Sequence, residues 1–403
     1  MKRMLILSAI MVLTMILSGD VLAKQNDEGF IYGKVITRSG DEYYGIMRWG
    51  KQEYFWDDLF NATKEKNQWL NHVDKKKDRR PDIRVFGKII NIPYAGTHQF
   101  VTRFGDIQNI DTRRGDDAII KMKNGSEYKV SGYGDVGATL LILDQMLGKV
   151  KLKWDNIDNI EFAATPKTVN KPGYRLYGKV ETRVMEFEGW VMWDAEECIS
   201  SDVLDGETTD GDMEIEFGNI RAIERRSSSS SNVILKDGRE YVLRGTNDVD
   251  DDNRGIYVED KRYGKVEIPW DEFDKVTYIE KDESGDPYDI YKPTGRLKGA
   301  VDIYRIGEVK GEIVFDLDEN EGFEILDGKI DDIDFYIPMR QILSITPKGR
   351  HSSKVKLING EELILEDTQD VSASNDGVLI FKGKDDPEYY DWDEIEEIRF
   401  DHK

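Results

Sequence analysis

The sequence predicts an all-β fold made of three tandem repeats, and three recurring phrases predict it. A closing phrase reads GKVKLKWDNIDNIEF at 148–162, GKVEIPWDEFDKVTY at 264–278 and PEYYDWDEIEEIRF at 387–400. A hairpin phrase precedes each copy, as IIKMKNGSEYKV, VILKDGREYVL and VKLINGEELIL. An opening phrase begins each unit, as YGKVITRSGDEYYGIMRW, YGKVETRVMEFEGWVMW and KGAVDIYRIGEVKGEIVF. Valine, isoleucine and aromatic residues fill these segments, and such residues suit a pleated, half-buried backbone.

In the opening phrase, Gly33, Gly178 and Gly299 are followed by Gly45, Gly189 and Gly311, then by Trp49, Trp193 and Phe315 four residues later. Glycine inside a strand marks a bulge or a sharp bend, so this segment predicts a curled hairpin. The middle copy lacks the turn glycine present at Gly40 and Gly307. In the hairpin phrase, Asn124-Gly125, Asp237-Gly238 and Asn359-Gly360 predict two-residue type I′ turns. An Asp-Val pair follows each glycine at a fixed distance, as Asp135-Val136, Asp248-Val249 and Asp370-Val371. Ile110, Ile223 and Ile345 stand at a fixed distance before it. The closing phrase sets an aromatic eight residues after each tryptophan: Trp154 to Phe162, Trp270 to Tyr278, Trp392 to Phe400. Asp155, Asp271 and Asp393 predict a short turn, and the alternating apolar residues beyond predict a strand facing the core.

These phrases divide the chain into units at 24–165, 166–283 and 284–403, with an insertion in the first at about 61–103. The joints carry Lys171-Pro172 and Lys292-Pro293, which exclude central sheet. Residues 1–23 have a basic start, an apolar run from Met4 to Leu17 and small residues near Ala23, the pattern of a secretory signal. The exported product is expected to be periplasmic or extracellular. The run Lys75 to Arg80 inside the insertion reads as a solvated loop, as does Ser227 to Ser231. Arg114-Gly115-Asp116 is a chance-frequency triplet with one copy in three.

Residues 299–328, GAVDIYRIGEVKGEIVFDLDENEGFEILDG, resemble the Sm-like small β-barrels in their order of strand, turn, Gly-bent strand and further strand. The resemblance implies two small curled sheets or barrels per unit. A closed ring of six propeller-like blades is the alternative. The basic RNA-binding positions of Sm-like proteins have no counterpart here. The whole pattern also resembles uncharacterised secreted bacterial repeat proteins, a family that implies no activity.

The chain carries net charge −23, which repels nucleic-acid phosphates and anionic lipid. No strand alternation suits a lipid-facing barrel, so the chain is not expected to be membrane-embedded. The lone Cys198 follows Glu196 and Glu197, whose charges are expected to raise its pKa. The four histidines do not recur between units, and no metalloprotease, nucleophile-elbow or phosphate-loop motif is present. Asp248, Asp250, Asp252 and Glu259 match positions 1, 3, 5 and 12 of a calcium loop, with Asn253 where glycine belongs. They are the metal candidates, with calcium as the only cofactor considered. DLDENEG, with Asp316, Asp318 and Asn320, is a weaker one. Trp56, Trp69, Trp190, Tyr43 and Tyr44 are candidate stacking residues for a sugar, whereas Trp154, Trp270 and Trp392 belong to the core. The expected function is non-catalytic: an exported binding or scaffold protein whose partner is an envelope protein or polysaccharide. The alternatives are a polysaccharide-acting enzyme and a calcium-dependent adhesin.

Overall fold

The opening glycine and the final aromatic of each unit are register partners: Gly33 lies opposite Phe162, Gly178 opposite Tyr278 and Gly299 opposite Phe400. The computed structural model describes residues 28–69, 83–85, 88–90, 99–113, 115–132, 134–383 and 387–402, and it is all-β. Residues 1–23, the run at 75–80 and Arg114 lie outside the described residues.

The first stretch forms one antiparallel path. Its order is Gly148–Leu152, Leu140–Asp144, Glu42–Trp49, Tyr32–Thr37, Ile157–Phe162, Ile107–Thr112, Asp117–Met122, Glu127–Ser131, Leu59–Lys64 and Gln99–Arg103. The third stretch repeats this order from Glu388–Tyr390 to Ile333–Pro338. The second repeats it as far as Glu240–Leu243. Its last two strands, Val203–Glu207 and Asp212–Glu216, form a hairpin tied on by the bridge from Glu207 to Arg244.

Neither a closed barrel nor separate blades result. Among the described residues no path closes on itself, and the second and third stretches merge where Gly264–Ile268 pairs with Ile333–Pro338. The opening glycines do not mark the bulges: Gly33–Gly45, Gly178–Gly189 and Gly299–Gly311 pair in unbroken register, where a Cβ would meet a neighbouring strand's carbonyl, and pairing on both sides extends the sheet rather than closing it. The bulges recur further along each opening strand, as register shifts at Ile36/Thr37, Glu181/Thr182 and Asp302/Ile303.

The expected insertion at 61–103 begins and ends inside sheet. Leu59–Lys64 and Gln99–Arg103 pair with each other, Asn61 opposite Val101, so the extra length lies between these arms. The hairpin turns also differ from expectation. Gly125, Gly238 and Gly360 have φ of +89°, +92° and +94°, but the residues before them do not have positive φ. The loop is a three-residue turn with a glycine bulge, closed by the N–H of Gly125 donating to the Met122 carbonyl. Three residues are needed because Met122 and Ser126 still pair across the turn.

A row of apolar residues crosses three strands in every stretch: Val35–Ile160–Ile110, Val180–Val276–Ile223 and Val301–Ile398–Ile345. All nine are fully buried. Trp154, Trp270 and Trp392 are each 3% exposed and belong to the same cores. Burying such rows is the main drive for forming the sheets. Among the described residues no helix is long and apolar enough to cross a membrane.

Candidate functional site

The turn after the repeated aromatic carries buried carboxylates in every stretch. The three copies read Trp49-Gly50-Lys51-Gln52-Glu53, Trp193-Asp194-Ala195-Glu196-Glu197 and Phe315-Asp316-Leu317-Asp318-Glu319. In each, the aromatic and the glutamate exchange backbone hydrogen bonds, with the aromatic N–H donating at 2.7, 2.7 and 2.8 Å. The chain can turn so tightly only with a left-handed residue directly after the aromatic. Gly50 has φ of +59°, Asp194 +49° and Asp316 +48°. A non-glycine residue there is strained by about 1–2 kcal/mol, and aspartate tolerates it better than most. The strain is offset by hydrogen bonds to the carboxylates. The backbone N–H of Arg254 donates to Asp194, and that of Asp376 donates to Asp316.

The Asp-Val pairs bring the third carboxylate. Asp135, Asp248 and Asp370 accept the backbone N–H groups of Asn61, Asp205 and Asp327 at 2.7, 2.7 and 2.8 Å. Two acidic triads result, Asp194–Glu197–Asp248 and Asp316–Glu319–Asp370, and in each the carboxylate oxygens lie within 4.8 Å of one another. The first stretch has only Glu53 and Asp135 at these places, because Gly50 supplies no carboxylate.

The triads differ in the residue that faces the left-handed aspartate. In the second stretch, Arg254 places its guanidinium on Asp194, and its Nη1 lies 3.0 Å from Glu196. Burial raises the Asp194 pKa, and the Arg254 contacts hold that rise back. Burial, with Asp248, Asp194 and Glu196 adding to it, pushes Glu197 up to about 9. In the third stretch Asp376 stands where Arg254 stands in the second. Burial raises Glu319 and Asp370 well above the ordinary carboxylate range, and the neighbouring carboxylates raise both further. Asp316, Glu319 and Asp370 are 2%, 8% and 5% exposed, and Oε2 of Glu319 has no hydrogen-bond partner among the described residues. Three carboxylates so deeply buried require protons or a cation.

A second repeated carboxylate lies nine residues after the aromatic: Asp58, Asp202 and Glu324. Each accepts two backbone N–H groups of its own turn. Each also receives a cation from another stretch: Lys265 on Asp58 at 3.1 Å, Arg48 on Asp202 at 2.8 Å and Lys64 on Glu324 at 2.7 Å. Lys64 reaches Asp318 as well, at 2.7 Å. Burial pulls the Lys64 ammonium down, but Asp318, Glu324 and Glu319 push it further up. Arg175 grips Asp57 with two bonds at 2.7 and 2.9 Å, and Arg340 holds Asp106 at 2.7 Å. These pairs dock the first stretch against both others.

The predicted calcium-loop set is not brought together. Asp248 joins Asp194 and Glu197. Asp250 accepts the N–H of Asp252 in a local turn, and Asp252 is exposed. Glu259 lies on the strand Ile256–Asp260, where alternation turns it toward the first stretch and onto Arg103. Of the weaker set, Asp316 belongs to the third triad, Asp318 to Lys64, and Asn320 is buried.

The candidate stacking residues are largely internal. Trp56 is fully buried, with its ring 4.4 Å from Tyr288 and its Nε1 donating to Thr165 at 3.2 Å. Trp190 is buried between Tyr177 and Arg175. Trp69 is half-buried against Phe381, and Tyr43 is half-buried against the core. Only Tyr44 is exposed. Trp56 and Trp190 escaped prediction as core because they do not recur, and their cover comes from distant segments. Cys198 is buried, and its raised pKa comes first from that burial, while Asp202 and Asp58 add to it.

Sequence reasoning found the Asp-Val pairs but missed the glutamate four residues after the repeated aromatic. Aligning the three turns would have shown it. Comparison with protein-family models, with curated proteins and with solved structures finds no match to this chain.

Proposed function

We propose that this chain is a non-catalytic, exported protein that binds or scaffolds a component of the cell envelope. The observation that supports this reading is the engagement of buried carboxylates in docking. Asp57, Asp58, Asp106, Asp202, Asp318, Glu259 and Glu324 each take a cation from a different stretch. Such pairs fix the orientation of the first stretch against the other two, and a fixed orientation is what a presenting surface needs. The partner is an envelope protein or polysaccharide. The net charge of −23 disfavours nucleic acid. Export, a place outside the membrane and kinship with secreted repeat proteins belong to the same reading.

The test is co-sedimentation of the purified chain with isolated envelope polysaccharide and membrane-protein fractions, with reducing ends assayed in the supernatant. Retention without release of reducing ends is the expected result. Time-dependent release would replace this reading with the polysaccharide-acting enzyme.

A further inference from the structure

We infer that Asp316, Glu319 and Asp370 form a binding site for one divalent, oxygen-seeking cation, with calcium the best fit. The inference goes beyond the binding or scaffold reading and does not depend on it.

Four observations on the triads converge. First, the three carboxylate oxygens lie within 4.8 Å of one another. Two oxygens held about 2.4 Å from one calcium ion lie no more than about 4.8 Å apart, whereas magnesium, at about 2.05 Å, requires a tighter set. Second, Glu319 is more than nine-tenths buried, and its Oε2 has no hydrogen-bond partner among the described residues. An acceptor in that position is satisfied by a metal ion without moving the backbone. Third, the same turn in the second stretch carries its own cation, the Arg254 guanidinium on Asp194. The third stretch has Asp376 at that place. Fourth, aspartate is kept at a left-handed position, φ +48°, where the first stretch uses glycine. Bidentate carboxylates and water would complete the six to eight oxygens that calcium takes.

The first stretch supplies the test. Gly50 stands at the corresponding place, and glycine adopts the φ of +48° at Asp316 without strain, so Asp316→Gly removes a ligand without opposing the local backbone. The full chain, stripped with chelator, is titrated with calcium chloride by calorimetry and by thermal melting. The wild type is expected to bind one ion with a millimolar or tighter Kd and to melt at a higher temperature when loaded. Asp316→Gly is expected to weaken binding at least tenfold. Asp194→Gly is expected to leave the stoichiometry unchanged. Glu319→Gln, which keeps shape, provides a second loss should Asp316→Gly fold poorly, and circular dichroism checks both folds. Absence of any melting shift in the wild type at millimolar calcium overturns the inference. So does calcium binding that persists undiminished in well-folded Asp316→Gly or Glu319→Gln, because it would then reflect the acidic surface alone.

Discussion

At Glu267 a single carboxylate is buried where two stretches meet. It lies opposite Asp334 in the shared sheet and accepts the Tyr336 hydroxyl at 3.0 Å. Burial, with Asp334 adding, pushes it up to about 7. The folded state therefore holds a proton that the unfolded chain releases near pH 4.3. Its contribution is fully present below the unfolded value and is lost as pH rises toward 7. Glu267→Gln should therefore match wild type near pH 4 and exceed it at pH 8, by up to about 3 kcal/mol. Denaturant titrations at the two pH values measure the gap, and equal stability at pH 8 refutes the assignment. Arg175 poses the opposite case. Its guanidinium is buried on Asp57 and stacks 3.9 Å from the Phe55 ring. Arg175→Met leaves a buried carboxylate without its cation and should lower stability by about 3–5 kcal/mol. The double variant Arg175→Met/Asp57→Leu should recover much of that loss. Neither pairing was legible in the sequence, because residues 118 positions apart leave no periodic trace.

At the scale of strands, the recurring phrases were legible because spacing and register express the same contact. Gly299 faces Phe400 so closely that a Cβ on it would meet the Arg399 carbonyl at 1.9 Å. Gly299→Ala must then force the opening and closing strands apart. A melting temperature several degrees below wild type is the expected outcome, and an unchanged one would show that the strands can slide. The calcium-loop reading failed at this scale. It counted Asp248 to Glu259 as one loop, whereas a strand begins at Ile256 and carries Glu259 away. The triads were half-legible: Asp248 and Asp370 stood out by spacing, but Glu197 and Glu319 were hidden among many acids. Trp56 was misjudged for a related reason. Trp56→Ala should cost about 3–5 kcal/mol, as for a core tryptophan, and leave any sugar binding unaltered.

Across the whole molecule, the two ways of joining stretches differ. The second and third share backbone hydrogen bonds through Gly264–Ile268 and Ile333–Pro338. The first is held to both by buried apolar clusters that mix the stretches, such as Phe55 with Ile199 and Phe100 with Phe323, and by buried ion pairs, such as Lys64 on Asp318 and Lys265 on Asp58. Pairs so buried are screened little by salt, so 1 M sodium chloride should not release the first stretch. A calorimetric scan should show one transition at both low and high salt. Two separated transitions would mean that the docking is weaker than the burial implies. No sequence pattern announced this difference, since the joining strand GKVEI and its counterpart GKVKL are nearly the same phrase.

That near-identity has a further consequence. Among the described residues Gly148–Leu152 ends its path with one neighbour, while the matching strand in the second stretch has two. An uncovered rim of this kind invites another molecule to add on and begin a fibre. Lys149, Lys151 and Lys153 are exposed along it, so two approaching copies would repel each other. Neutralising Lys149 and Lys151 with threonine should therefore yield concentration-dependent oligomers in sedimentation velocity, leaving the lysines as the chain's guard against polymerising through its own repeat.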